Sequence, residues 1–300
     1  MRDAYLREAP VGAPSLEGIS TQSEKKGSMN TTRETREIVV IGDVHGSAAK
    51  LEALLRAAGL VDEEMRWRKE GACLVQTGDL IDRGPEPFRV LDIMRKLVEE
   101  APEAGGEVHS LLGNHEFMAL ASARGDELML ATWFSENNGG WVTYEIWRRE
   151  RGGDLEGFLA EFSDAGGYGS WLRERPVMVR VGDFVFSHAG LDRAFPSVDG
   201  VNEEFWERFE RGDFYHPLLR RGPLWVRDLT SDEVEEALGA LGASRMVVGH
   251  TPHPGITAAC GGRLIYVDVG MAWTRYCEAL HIIGDEGYVF DDRGRRRRLF

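Results

Sequence analysis

Hydrophobic and polar positions settle into a repeating order from Glu37 onward. The β-branched run Glu37-Ile-Val-Val-Ile41 reads as a buried strand, followed by a glycine turn and apolar positions at helical spacing from Ser47 to Ala58. A second cycle runs from a strand at Ala72 to Gln76 through a Gly-rich loop into a helix from about Pro87 to Glu99, and Val108 to Leu112 opens a third. Strand, loop and helix in alternation predict an α/β layered fold, in which loops at the carboxyl ends of strands collect the chemistry.

From about Phe117 to Arg175 the spacing turns mostly helical, with Trp133, Trp141, Trp147 and Trp171 spread along it. Strands return at Val177 to Val181 and Phe184 to Ser187. The stretch 117–175 therefore reads as a helical cap inserted between sheet strands, its tryptophans packing that cap onto the core. An acidic, solvated helix from Asp232 to Leu241 leads to a strand at Arg245 to Val248, with further strands at Leu264 to Val269 and Leu280 to Ile283. Residues 1–35 are polar and turn-rich and predict a disordered tail; 36–290 form the ordered domain, and 291–300 a solvated basic tail.

Composition narrows the classes. A 42% hydrophobic chain of 300 residues has ample material for a core. The net charge of −14 disfavours nucleic acid and anionic membrane as partners, although arginines and cations can make one cleft positive within an acidic protein. Cys73, Cys260 and Cys277 lack CxxC spacing, so they outline neither a disulfide framework nor a zinc knot, and a reducing compartment fits. No apolar run has signal-peptide or membrane-span length; a cytoplasmic location is the expectation.

The chemistry lies in five short segments: Gly42-Asp-Val-His-Gly46, Gly78-Asp-Leu-Ile-Asp-Arg-Gly84, Gly113-Asn-His-Glu116, His188-Ala-Gly190 and Gly249-His-Thr-Pro252. Any one alone reads as an ordinary turn, a helix cap or a satisfied core histidine. All five in order, each at a strand end and each offering oxygen or imidazole, point to a metal centre. Carboxylate, amide oxygen and imidazole without thiolate suit manganese, iron or zinc. Two such cations ~3.5–4 Å apart can share a carboxylate, generate hydroxide near neutral pH and neutralise the oxygens of an in-line displacement at phosphorus.

Together the motifs resemble the phosphoprotein phosphatase branch of the calcineurin-like metallophosphoesterases, over about Glu37 to Ile283. The resemblance implies a β-sandwich flanked by helices, a four-layer α/β/β/α order. It implies two divalent cations, manganese foremost, with iron or zinc as alternatives. Asp43 and His45 would bind the first metal, Asp79 would bridge, and Asn114, His188 and His250 would complete the second. It further implies that His115 protonates the leaving oxygen with Asp82 orienting its ring, and that Asn114, Arg83 and Arg227 hold the phosphate.

Val75 to Gly84, the Pro223-Leu-Trp-Val-Arg227 segment, Val247 to Pro252 and Val267-Asp-Val-Gly-Met271 are similar to the bacterial-type Shewanella-like phosphatases, which implies a phosphorylated protein or peptide as substrate, with phosphate often on tyrosine. His188-Ala-Gly190 departs from the His-Gly-Gly of the eukaryotic serine/threonine enzymes, so their inhibitor sensitivity does not carry over. The same variant is found in diadenosine tetraphosphatases, which keeps dinucleoside polyphosphate hydrolysis as the alternative. His109, His216, His253 and His281 have no motif and read as surface or packing residues.

Overall fold

The β-branched run that opens the pattern forms β1 (Glu37–Ile41), buried on both faces as its unbroken apolar character requires. It begins the region described by the computed structural model, residues 37–300; the predicted tail 1–35 lies outside the described residues. The next elements follow the expected alternation: α1 (Ala48–Ala57), β2 (Ala72–Gln76), α2 (Pro87–Glu100) and β3 (Glu107–Ser110). Helix α2 starts on a proline, which lacks the amide a first helical residue cannot use, and buries Phe88, Leu91, Met94 and Leu97 along one face.

The helical cap comprises α3 (Asn114–Ala123), α4 (Glu127–Trp133), α5 (Gly140–Arg151), α6 (Leu155–Glu161) and α7 (Gly167–Arg173). Its centre is aromatic: Trp133 stacks on Phe158 at 5.4 Å between ring centroids, and Phe162 meets Phe158 edge-on at 5.4 Å. Trp133, Trp147 and Trp171 are buried as packing residues, while Trp141 stands 48% exposed.

Then come β4 (Met178–Val181), β5 (Phe184–Ser187), α8 (Val198–Glu210), the short α9 (Pro217–Arg220) and α10 (Gly222–Trp225), and α11 (Ser231–Leu241). The predicted acidic helix is α11, opened by a reciprocal Thr230–Glu233 capping box and stopped at Gly242. The chain closes with β6 (Arg245–Val248), β7 (Thr257–Ala259), β8 (Leu264–Tyr266), β9 (Glu278–Ile283), β10 (Glu286–Asp291) and β11 (Arg296–Arg298).

Two mixed sheets result, flanked by helices in the expected layered order. One has strand order β11-β10-β9-β1-β2-β3, with β1, β2 and β3 parallel; the other runs β4-β5-β6-β8-β7, with β5, β6 and β8 parallel. The cap connects the edge strand of the first sheet to the edge strand of the second. Ile41 pairs with Gln76, and Gln76 with Ser110, so the parallel strands end level and present their loops together.

The arginine run departs from its expectation as a solvated tail. Arg296–Arg298 pair with Phe290 to Tyr288 as an edge strand, their side chains remaining exposed. Arg296 lies over the Tyr288 ring at 3.8 Å and Arg298 meets Glu286 at 3.0 Å. The charges thus stay in water while the backbone completes the sheet, an arrangement that charge alone does not reveal. Among the described residues no helix is long and apolar enough to cross a membrane.

Phe158 has no exposed surface and touches four other aromatic residues of the cap besides Phe162. Phe158→Ala is expected to destabilise the protein by about 3–5 kcal/mol in denaturant unfolding. A loss below about 1 kcal/mol would show that this aromatic core contributes little.

Candidate dinuclear metal centre

Each predicted metal ligand, with His115, stands just beyond a strand of one of the two parallel cores or on the helix that follows, and the structure brings them together; Arg227 instead follows α10. Asp43 and His45 follow β1, Asp79 follows β2, Asn114 and His115 open α3 beyond β3, His188 follows β5 and His250 follows β6. All seven side chains are buried.

Two glycines of the turns that present them sit directly against ligand carboxylates. A Cβ on Gly113 would lie 2.2 Å from Asp79 Oδ1, and one on Gly249 would lie 2.2 Å from Asp43 Oδ1. His45, Asp79, Asp82, Arg83 and His250 all have positive φ, between 44° and 72°. Such backbone persists in non-glycine residues only when the surroundings enforce it.

Buried side chains do the enforcing. Glu116 accepts the amides of Asp79 (2.9 Å), Leu80 (2.8 Å), Ile81 (3.2 Å) and Gly113 (2.9 Å), tying the second loop to the third. Gln76 Nε2 donates to Gly78 O at 2.7 Å and Gly42 O at 3.3 Å, tying the second loop to the first. Burial, with Asp79 adding its charge, pushes the Glu116 carboxyl up to about 7.

The ring orientations leave lone pairs facing inward. His45 Nδ1 donates to Ile81 O at 2.8 Å, so its Nε2 points at Asp79 Oδ2 (3.3 Å) and Asp43 Oδ2 (4.0 Å). Arg83 Nη1 donates to this same Nε2. His188 Nδ1 donates to Thr77 O at 2.9 Å, so its Nε2 faces Asn114 Oδ1 at 2.8 Å, Asp79 Oδ1 at 3.4 Å and His250 Nδ1 at 3.1 Å. A lone-pair nitrogen against an amide oxygen and a carboxylate is repulsive unless a cation lies among them.

Two triads emerge, His45-Asp79-His115 and Asp79-His188-His250, each with its donor atoms within 4.8 Å of one another. Asp79 is common to both, the arrangement needed for a shared carboxylate. His250 Nε2 is buried without a hydrogen-bond partner. The residues therefore fit a pair of hard or borderline cations.

Electrostatics agree. Burial lowers His45 and His250 well below the usual imidazole range and lowers His188 as well, leaving them neutral as metal ligands must be. Burial alone would raise Asp79, but His115, His188, His45 and Arg83 hold it far below the carboxylate range. Burial raises Asp43, reinforced by the charges of Asp268 and Asp79. His115 moves the other way: burial opposes its charge, yet Asp79 and Asp82 outweigh burial and raise it.

Asp82 is held on every side. It accepts His115 Nδ1–H at 2.6 Å, Trp133 Nε1–H at 2.7 Å and the Thr143 hydroxyl at 2.6 Å. Trp133 and Thr143 belong to the cap, so α4 and α5 fix the His115–Asp82 pair. Arg227 Nη1 donates to His250 O at 2.6 Å, placing its exposed side chain beside the second triad.

Several of these contributors have no signal in the sequence. Thr143 belongs to no motif, and Trp133 reads only as packing. Asp268, buried and pushed up to about 6 by burial, lies in the Val267-Asp-Val-Gly segment, whose match marks a subfamily without assigning a role. Trp273 is 59% exposed, with the Arg83 guanidinium 4.7 Å from its ring and His45 6.0 Å away. Its loop is fixed by Lys50, whose ammonium donates to Met271 O and Thr274 O. The unassigned histidines pack or pair as expected: His216 caps α9, His253 stacks on Tyr266, His281 pairs with Glu37, and His109 pairs with Glu107.

The calcineurin-like phosphoesterase family profile matches residues 36–272. Shewanella-like protein phosphatase 2 of Arabidopsis thaliana is 30% identical over 293 residues, covering 82% of this chain and 75% of the relative. A symmetrical bis(5'-nucleosyl)-tetraphosphatase of Methylococcus capsulatus is 30% identical over 158 residues, 53% of this chain and 44% of its own. A solved cold-active protein tyrosine phosphatase superposes with a TM-score of 0.72 at 25% identity, covering 88% of this chain and 78% of that one. The chain belongs to the calcineurin-like phosphoesterases, whose members bind a dinuclear metal centre, and is a metal-dependent hydrolase of phosphoric monoesters.

Proposed function

We propose that this chain is a protein phosphatase with a preference for phosphotyrosine. The observation that carries the reading is the buried Asp79 carboxylate set among His45, His188 and His250, flanked by Arg83, Arg227 and the His115–Asp82 pair.

Asp43, His45 and Asp79 would hold one cation, and Asp79, Asn114, His188 and His250 the other, with manganese the first candidate for this oxygen and nitrogen set. When bound, the cations supply charge neutralisation for the phosphoryl oxygens and acidify a water molecule. Arg83 and Arg227 clamp the phosphate with planar guanidinium groups, and Asn114 adds an amide contact. His115, whose hold on its proton Asp79 and Asp82 strengthen against burial, delivers its Nε2 proton to the departing oxygen, while Thr143 and Trp133 hold Asp82 in place.

Trp273 supports the tyrosine preference. An exposed, anchored indole beside the phosphate-binding Arg83 offers a flat face where the ring of an aryl phosphate would lie. The Shewanella-like relative is a protein phosphatase, and the solved cold-active structure is a protein tyrosine phosphatase, which favours that substrate class here. A second reading, hydrolysis of dinucleoside polyphosphates, draws on His188-Ala-Gly190 and on the tetraphosphatase relative, which covers little over half of the chain.

The deciding experiment measures phosphate release by metal-stripped protein re-supplied with manganese. Phosphotyrosine and phosphoserine peptides are compared with diadenosine tetraphosphate. Faster turnover of the phosphotyrosine peptide is expected; cleavage of the dinucleotide alone would select the second reading.

Asp79→Asn is expected to abolish turnover and reduce bound metal, measured by elemental analysis beside the activity assay; full turnover in the stripped variant would sink the reading. His115→Asn should lower kcat by roughly 10²-fold or more with KM nearly unchanged, and Thr143→Val should lower kcat by a smaller factor. Trp273→Ala should raise KM for the phosphotyrosine peptide roughly two- to tenfold, as loss of an aromatic contact implies, and leave the phosphoserine peptide unaffected. Equal effects on both peptides would remove the indole from substrate selection.

A further inference from the structure

Away from the active centre, a second set of metal-binding atoms lies across two neighbouring strands. In the parallel register of β2 and β3, Cys73 pairs with Glu107 and Val75 with His109, and side chains two apart on a strand share a face. The donor atoms of Cys73, Glu107 and His109 lie within 4.8 Å of one another. His109 Nε2 meets Glu107 Oε1 at 2.6 Å. Cys73 is fully buried, while the other two are partly exposed.

We propose that Cys73, Glu107 and His109 form a zinc site, separate from the catalytic centre. Thiolate, imidazole and carboxylate together are a donor set for zinc; the set around Asp79 has no thiolate and also accommodates manganese, so the thiolate distinguishes this site. Three donors fixed on a hydrogen-bonded ladder need little rearrangement to bind. Three protein ligands leave a fourth position for water or another donor.

His109 lines a cleft of about 520 Å³, together with Pro176, Met178, Arg180 and Asn202. As the ion binds, the Cys73 thiol gives its proton to solvent and the thiolate becomes the ligand, so uptake releases a proton and tightens as pH rises. The bound ion would cross-link β2 to β3, the strands followed in the chain by Asp79 and Asn114 of the catalytic centre.

The test uses the full chain, stripped of metal and titrated with Co²⁺. A thiolate-to-cobalt charge-transfer band in the near ultraviolet is expected, stoichiometric with the chain and erased by Zn²⁺. The catalytic centre has no thiolate, so cobalt there gives no such band, and failure of this proposal is separable from failure of the proposed function. Cys73→Ser should remove the band, whereas Cys260→Ser and Cys277→Ser should leave it. His109→Gln, at a partly exposed position, should weaken cobalt binding by about tenfold or more while phosphatase activity with manganese stays intact. Should Cys73→Ser fail to fold, the His109→Gln titration decides alone. Absence of the band in the native chain, its survival in folded Cys73→Ser, or unchanged affinity in His109→Gln overturns the proposal.

Discussion

The fold is organised around one electrostatic conflict: carboxylates and lone-pair imidazoles buried together around Asp79 with too few protons among them. His45 Nε2 and His188 Nε2 are both committed as acceptors by the carbonyls that take their Nδ1 protons, and both point at carboxylate oxygen; Arg83 reaches the first, while the second faces Asn114, Asp79 and His250. An arrangement of this kind is costly in an apolar interior unless cations enter it. The scaffold has to hold repelling groups at fixed positions, which explains the strained turns, the glycines at Gly113 and Gly249 and the interlocking of loops by Glu116 and Gln76.

Two parallel strand cores make this possible. Each sheet brings the carboxyl ends of its parallel strands level, so ligands widely spaced along the chain meet without long reaches. His250 N–H donates to Asp43 Oδ1 at 3.0 Å, a bond across more than two hundred residues that joins the ligand loop of one sheet to that of the other. Metal binding and the docking of the two sheets are therefore coupled: whatever stabilises this contact also sets the spacing of the ligands.

The legible part of this design was whatever a short motif or a clear periodicity could carry. Strands ending at Asp43, Asp79, His188 and His250 combine apolar runs with glycine turns, and both signals are local. The aromatic cap was legible as helices, but its role was not, because the contacts from Trp133 and Thr143 to Asp82 span more than fifty residues and depend on tertiary packing. Trp273 is silent in the sequence for a related reason: an isolated tryptophan near the end of the chain has no period, and only the fold puts it beside Arg83. The β11 edge strand escaped because its arginines keep their charges in solvent, so only backbone pairing distinguishes it from a tail.

The cap joins stability to chemistry through a single indole. Trp133 has one face stacked on Phe158 in the aromatic core, and its N–H ends on the carboxylate that orients His115. A buried indole needs a partner for its N–H, and a buried carboxylate needs donors; each satisfies the other. Packing of α4 and α6 therefore fixes the direction of Asp82 Oδ2 and, through it, the His115 ring. A loosened aromatic core would disturb the proton donor before it disturbed the metal ligands, since Asp43, Asp79, His188 and His250 are braced by the sheets and their own loops.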